Sequence, residues 1–179
     1  LDNAKNCLAI LDCFDQLLSF DRDDVAAWSQ FSYLPLFYTK EFDTKESDPL
    51  PVGEGARQRS FGLSFVGTLH TERYAFVKRL FEGRAETYAY FYVQARWYFA
   101  VVKYLTREHS RVPWSEVSFH KLSRRQVAEV FRDSLAVVDI QRRGQSGLTM
   151  RTFEVLASGS VLVTTNKAIA REPFFDPTR

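Results

Sequence analysis

Residues 135–165 read LAVVDIQRRGQSGLTMRTFEVLASGSVLVTT, and their reading decides the fold. An apolar run closes at Asp139, and a polar turn over 141–147 follows with Gly144, Gly147, Arg142 and Arg143. A helical pattern then runs to Gly159, and a second apolar run ends the stretch. This is β-loop-α-β. The turn carries no large apolar side chain and feeds a helix start, where unpaired backbone N–H groups and aligned peptide dipoles attract anions.

Working outward, residues 61–66 predict a strand ending at Gly67 and Thr68, and residues 71–81 predict a helix with Tyr74, Val77, Leu80 and Phe81 on one face, stopped by Gly83. Residues 88–93 read as an aromatic strand. Residues 96–106 read as a helix with Trp97, Val101 and Leu105 as its inward stripe, and residues 117–120 as a short strand. Ser123 with Gln126 three positions later is a capping box for a helix that buries Val127, Val130 and Phe131. Strands alternating with helices imply parallel pairing through right-handed crossovers, and continuous apolar strands such as LAVV imply a sheet covered on both faces. The expected fold is therefore α/β, a Rossmann-like doubly wound parallel sheet over 61–179. Ligands bind such sheets beyond the carboxyl ends of the strands.

Residues 1–38 predict a short N-terminal α/β piece: a weak helix over 4–11, a strand over 16–20, and a helix capped by Asp21 and running through Trp28 and Phe31. An extended stretch follows over 34–38. Residues 39–60 crowd charge, proline and glycine together and read as a linker or surface loop. Leu1 in place of an initiator Met implies a processed or shortened chain.

At 45% hydrophobic and 26% charged residues, the 179-residue chain has the composition of a globular protein. A net charge of +2, without any basic block, gives no argument for a nucleic-acid partner. Cys7 and Cys13 have no CxxC spacing and read as small buried hydrophobes in a reduced, cytoplasmic compartment. Three dispersed histidines make no metal site. No apolar run reaches the length of about eighteen residues that a membrane helix needs.

The chemistry gathers around the 141–147 turn, which is neither a Walker loop nor a dinucleotide fingerprint. It has two readings: a solvated surface turn, or a diphosphate cradle built from glycines, Ser146, Thr149 and the cations Arg142, Arg143 and Arg151. Glu154 either pairs with Arg151 one turn before it or accepts two ribose hydroxyls. Gly67 and Thr68 either end a strand or allow close backbone approach to a ligand. Phe119, His120 and Lys121 either flank a nucleobase or divide into one core ring and two solvated side chains.

The run from Gly144 to Gly159, GQSGLTMRTFEVLASG, resembles bacterial GT-B glycosyltransferases. It looks closest to those of capsule, lipopolysaccharide and spore-coat (CgeB-like) polysaccharide synthesis. Residues 65–68 (FVGT) and 33–38 (YLPLFY) resemble the same group. The resemblance implies two Rossmann-like domains, of which this chain holds mainly the donor-binding one after the end of an N-terminal domain. It implies a nucleoside-diphosphate sugar as substrate and a glycan or lipid-linked acceptor, at the cytoplasmic face of the inner membrane with peripheral association. Gly67, Thr68, Arg142, Gly144, Ser146, Gly147, Leu148, Thr149 and Arg151 would hold the diphosphate, Glu154 the ribose. No metal or other cofactor is implied, and no general base is named. Nucleotide-sugar epimerases share the fold, and a non-catalytic binding or assembly module is a third reading.

Overall fold

The computed structural model describes residues 10–44, 59–141 and 147–178. Five parallel strands form the main sheet: β3 (Phe61–Thr68), β4 (Thr87–Tyr92), β5 (Val117–Ser118), β6 (Ser134–Asp139) and β7 (Val161–Thr164), in the order β5-β4-β3-β6-β7. Before them, β1 (Leu17–Ser19) and β2 (Phe31–Tyr33) pair in parallel as a separate two-stranded sheet. The expected Rossmann-like α/β arrangement is what the chain adopts. Strand order runs outward in both directions from the β3–β6 pair, which makes that pair the topological switch point.

Helices cover both faces. α2 (Thr71–Phe81) and α3 (Arg96–Val101) pack on one side around Phe65, Val77, Phe91, Phe99 and Val138. On the other, α4 (Arg124–Arg132) and α5 (Met150–Ala157) pack around Val66, Phe131, Val137 and Val155. β6 serves both cores, since Val137 and Val138 point to opposite faces and are each at most 1% exposed. Burying each such side chain contributes about 1.5–3 kcal/mol. The capping box forms as the sequence predicts, with Ser123 accepting from the Gln126 N–H and the Gln126 side chain returning to the Ser123 backbone. Gly83 and Gly159 end α2 and α5 with φ of +70° and +69°, conformations that disfavour any side chain.

Four local expectations are corrected. α1 (Arg22–Ala27) is capped by Asp21 as predicted but stops before Trp28, and Phe31 lies in β2, because the Trp28 N–H closes the last turn onto Asp24 and the chain then extends. The helix over 96–106 is α3 followed by a π-helical turn at Val102–Thr106, and its inward residues are Phe99 and Val102. Trp97, Val101 and Leu105 face outward. Cys13 is exposed, while Cys7 lies outside the described residues. Finally, the 39–60 segment is not all surface: a 3-10 turn at Lys40–Phe42 drives Phe42 into the α4–α5 core, 5.8 Å from the Phe131 ring, with Arg132 holding the Glu41 carbonyl. One aromatic among charges carries too little periodicity to announce that burial.

The N-terminal piece is bound to the far end of the chain. Arg22 forms a two-pronged ion pair with Glu172 (3.0 and 3.3 Å) and stacks over Tyr33, whose hydroxyl also donates to Glu172. Arg171 pairs with Asp23 at 2.6 Å.

Candidate functional site

β3 and β6 pair as far as Ser64 and Val137, and their last residues then diverge. The gap opens a cavity of about 300 Å³ at the carboxyl ends, lined by Gly67, Thr68, Arg73, Asp139, Gln141, Thr149, Met150, Arg151 and Glu154 among others. Arg73, one turn into α2, spans the mouth by donating to the carbonyls of Ile140 (3.0 Å) and Thr68 (3.5 Å). Glycine at 67 has a packing reason: an added Cβ would lie 2.8 Å from Cζ of Phe65, whose ring floors the cleft.

The opposite wall is the start of α5. Thr149 takes the N-cap position in extended conformation without a capping side-chain bond, and Thr149, Met150 and Arg151 line the cleft, while the Thr152 N–H closes onto the Thr149 carbonyl at 3.1 Å. Two carboxyls and two guanidiniums share this space. Asp139, 6% exposed, ends β6 and receives the Thr152 hydroxyl at 3.4 Å. Burial pushes its pKa up, against the guanidiniums of Arg151 and Arg73, which pull it down. Burial also raises Glu154, opposed by Arg151 and by Arg124 at the start of α4. Arg151 is lowered by burial and held up by Asp139 and Glu154. The cleft therefore holds two guanidiniums beside carboxyls whose charge is penalised by burial. An incoming anion reinforces that penalty and favours protonating the carboxyls.

The residues singled out in the sequence separate into four groups. Gly67, Thr68, Thr149, Arg151 and Glu154 meet in the one cleft. Gly147 and Leu148 turn away from it: the Gly147 N–H donates to the Asp21 carboxylate at 3.0 Å, its carbonyl accepts from Asn166, and Leu148 is 4% exposed beside the N-terminal piece. Phe119 packs with Phe99 and Trp114 in the α2–α3 core, under Arg96, while His120 and Lys121 are exposed beyond β5. Arg142, Gly144 and Ser146 lie outside the described residues. Sequence reasoning missed Arg73 and Asp139. Their signals were positional: a cation one turn after the Gly67-Thr68 strand end, and an acid closing an apolar strand next to the loop.

Residues 96–179 match the model of a glycosyl transferase-like family. The match includes β6, α5 and the loop between them, and so one wall of the cleft; the other wall, from β3 and α2, precedes it. No curated protein and no solved structure matches the chain.

A larger cavity, about 890 Å³, lies beside the first half of β4, where β5 is too short to cover the strand edge. Of its two carboxylates, Glu116 is engaged by Tyr74 (2.8 Å) and Lys78 (3.2 Å), and Glu82 follows the end of α2. Among the described residues no cluster of three or more His, Cys, Asp or Glu is arranged to hold a metal ion, and no helix is long and apolar enough to cross a membrane.

Proposed function

We propose that the chain is the donor-binding half of a GT-B glycosyltransferase, which transfers a sugar from a nucleoside diphosphate to a bacterial surface glycan or its lipid-linked precursor. The observation that carries the reading is the convergence of Arg73, Arg151, the open N-terminus of α5 and Glu154 on the cleft between β3 and β6. A diphosphate needs cations together with N–H donors, and a ribose needs a carboxylate a few ångströms further on; the cleft supplies these in that order along α5. The family match over 96–179 supports transferase chemistry in general terms.

In this reading the diphosphate lies across the start of α5, with Arg73 and Arg151 taking its charge and Glu154 the ribose hydroxyls. Arg142, Gly144 and Ser146 belong to the diphosphate set by the sequence resemblance alone. The leaving diphosphate is stabilised by these cations and the helix dipole, with no metal required. Capsule or lipopolysaccharide synthesis at the inner face of the membrane is the setting that the sequence resemblance suggests.

The test is a calorimetric and thermal-shift panel of UDP, GDP, CDP and dTDP, with and without EDTA. A nucleotide at 100 times its dissociation constant stabilises the protein by about 2.7 kcal/mol. Glu154→Ala is expected to weaken the nucleotide that binds while leaving the fold intact, alanine being favourable inside a helix. Silence from all four nucleotides, or unchanged affinity in Glu154→Ala, overturns the assignment. Epimerisation of the corresponding nucleotide sugar in the absence of an acceptor turns it toward an epimerase.

A further inference from the structure

The outer side of α3 and its π-helical continuation is built as a second apolar face. Trp97, Tyr98, Val101, Tyr104 and Leu105 follow the spacing that stacks side chains on one side of a helix. Trp97 is 69% exposed, Tyr104 63% and Leu105 77%. Trp114 extends the stripe, its indole N–H donating to the Tyr104 hydroxyl at 3.2 Å. The inward side of the same helix is already satisfied by Phe99 and Val102, so the outer stripe adds nothing to the core of this domain.

Its surroundings are mainly basic. Arg96, Arg107 and Arg111 stand exposed around the stripe, with the exposed Glu108 between the last two. Lys103, the remaining cation, is spent on the carbonyls of Ser110 and Val112, which fixes the loop leading to Trp114. We infer that this face docks on an anionic lipid bilayer, lying in the interface with Leu105 and Val101 toward the acyl chains. The indole and phenol groups would sit at headgroup level and the arginines on lipid phosphates. Tryptophan and tyrosine favour that depth because each joins an apolar ring to a polar tip, and cations add attraction to an anionic surface. A second copy of the chain fits less well, since a symmetric contact would bring three arginines from each copy together with only Glu108 from each to offset them. The N-terminal piece does not cover the stripe: it docks by Gly147, Arg171 and Glu172, on the β6–β7 side of the sheet, whereas α3 covers β4 and β5. The inference stands apart from the donor site and survives if no nucleotide binds.

Flotation with vesicles of phosphatidylcholine and phosphatidylglycerol in a three-to-one mixture, against phosphatidylcholine alone, tests it. Binding to the mixed vesicles, weakened by salt, is expected. The Trp97→Gln/Leu105→Gln variant, altered only at exposed positions, should keep its melting temperature and lose at least about tenfold in partitioning. Arg107→Gln/Arg111→Gln should lose roughly fivefold per charge on the anionic vesicles. Quenching of the unaltered protein by brominated lipid reads the same face without substitution, because Trp97 and Trp114 are two of its three tryptophans. The inference is overturned by failure to float with either vesicle, by unchanged flotation of Trp97→Gln/Leu105→Gln, or by absence of quenching. A dimer in sedimentation velocity that the same variant dissociates overturns it in favour of self-association.

Discussion

Gly147 can be tested as a packing residue by adding one methyl group. A Cβ built there lies 3.0 Å from Cδ2 and Cε2 of Phe20 and 3.3 Å from Cα of Asp21, tighter than ordinary contact. Overpacking of this kind costs about 1–3 kcal/mol, and alanine offsets about 0.4–1 kcal/mol by restricting the unfolded chain. The difference predicts that Gly147→Ala destabilises by about 0–2.6 kcal/mol, and a mid-range loss lowers Tm by roughly 3–5 °C for a chain of this size. Urea titration of a double-mutant cycle with Phe20→Ala isolates the cause. Phe20 is 38% exposed, so its own truncation is mild, and removing its ring leaves only the Asp21 backbone against the new methyl. Gly147→Ala should then cost less in the Phe20→Ala background, with a coupling beyond the ~0.3–0.5 kcal/mol that independent sites show. Additive effects refute the packing argument. So does a Gly147→Ala protein of unchanged stability that has lost nucleotide binding, because the glycine would then serve the ligand.

Other outcomes follow from neighbouring contacts. Ser123→Ala should cost about 1 kcal/mol, read as a fall in the urea midpoint, because it removes the acceptor for the Gln126 N–H and one half of the capping box. His109 is buried against Phe99 with Nδ1 3.0 Å from the Thr71 hydroxyl, and burial lowers its pKa below 6.5. The unfolded chain therefore takes up its proton first, so this contribution is complete above about pH 6.5 and declines as pH falls toward the folded pKa. His109→Gln should flatten the acid limb of stability against pH. At the cleft, an anion raises the already elevated pKa of Asp139, so nucleotide binding should take up protons and tighten as pH falls. Calorimetry in buffers of different ionisation enthalpy measures that uptake, which Asp139→Asn should diminish.

The sheet was legible because its signals are local and redundant. β6 and β7 are apolar runs bounded by polar turns, and the capping box at Ser123 marks the start of α4 without reference to anything distant. Five of the expected site residues meet for the same reason: a parallel sheet brings every strand's carboxyl end to one rim. Arg73 and Asp139 escaped because their roles come from the splay between β3 and β6, a property of two strands 70 residues apart rather than of either alone. Gly147 shows the opposite failure, since a glycine beside a polar loop reads equally as a ligand contact or as room for Phe20. The α3 stripe is the clearest case: periodicity of 3.6 finds an apolar face but is blind to what the face meets. Trp97 and Leu105 were expected inside on a pattern that Phe99 and Val102 in fact complete from the other side.

The Arg22–Glu172 pair has a consequence for the order in which the molecule is finished. Its two side chains are separated by 150 residues of sequence. At roughly 5–20 residues per second, a ribosome delivers Glu172 about 8–30 s after Arg22. The five-stranded sheet, whose neighbours lie closer in sequence, can assemble through much of that interval while β1, α1 and β2 stand without their acidic clasp. A segment synthesised early is thus among the last to be fastened, and during that wait its arginine and tyrosine are open to chaperones and proteases alike.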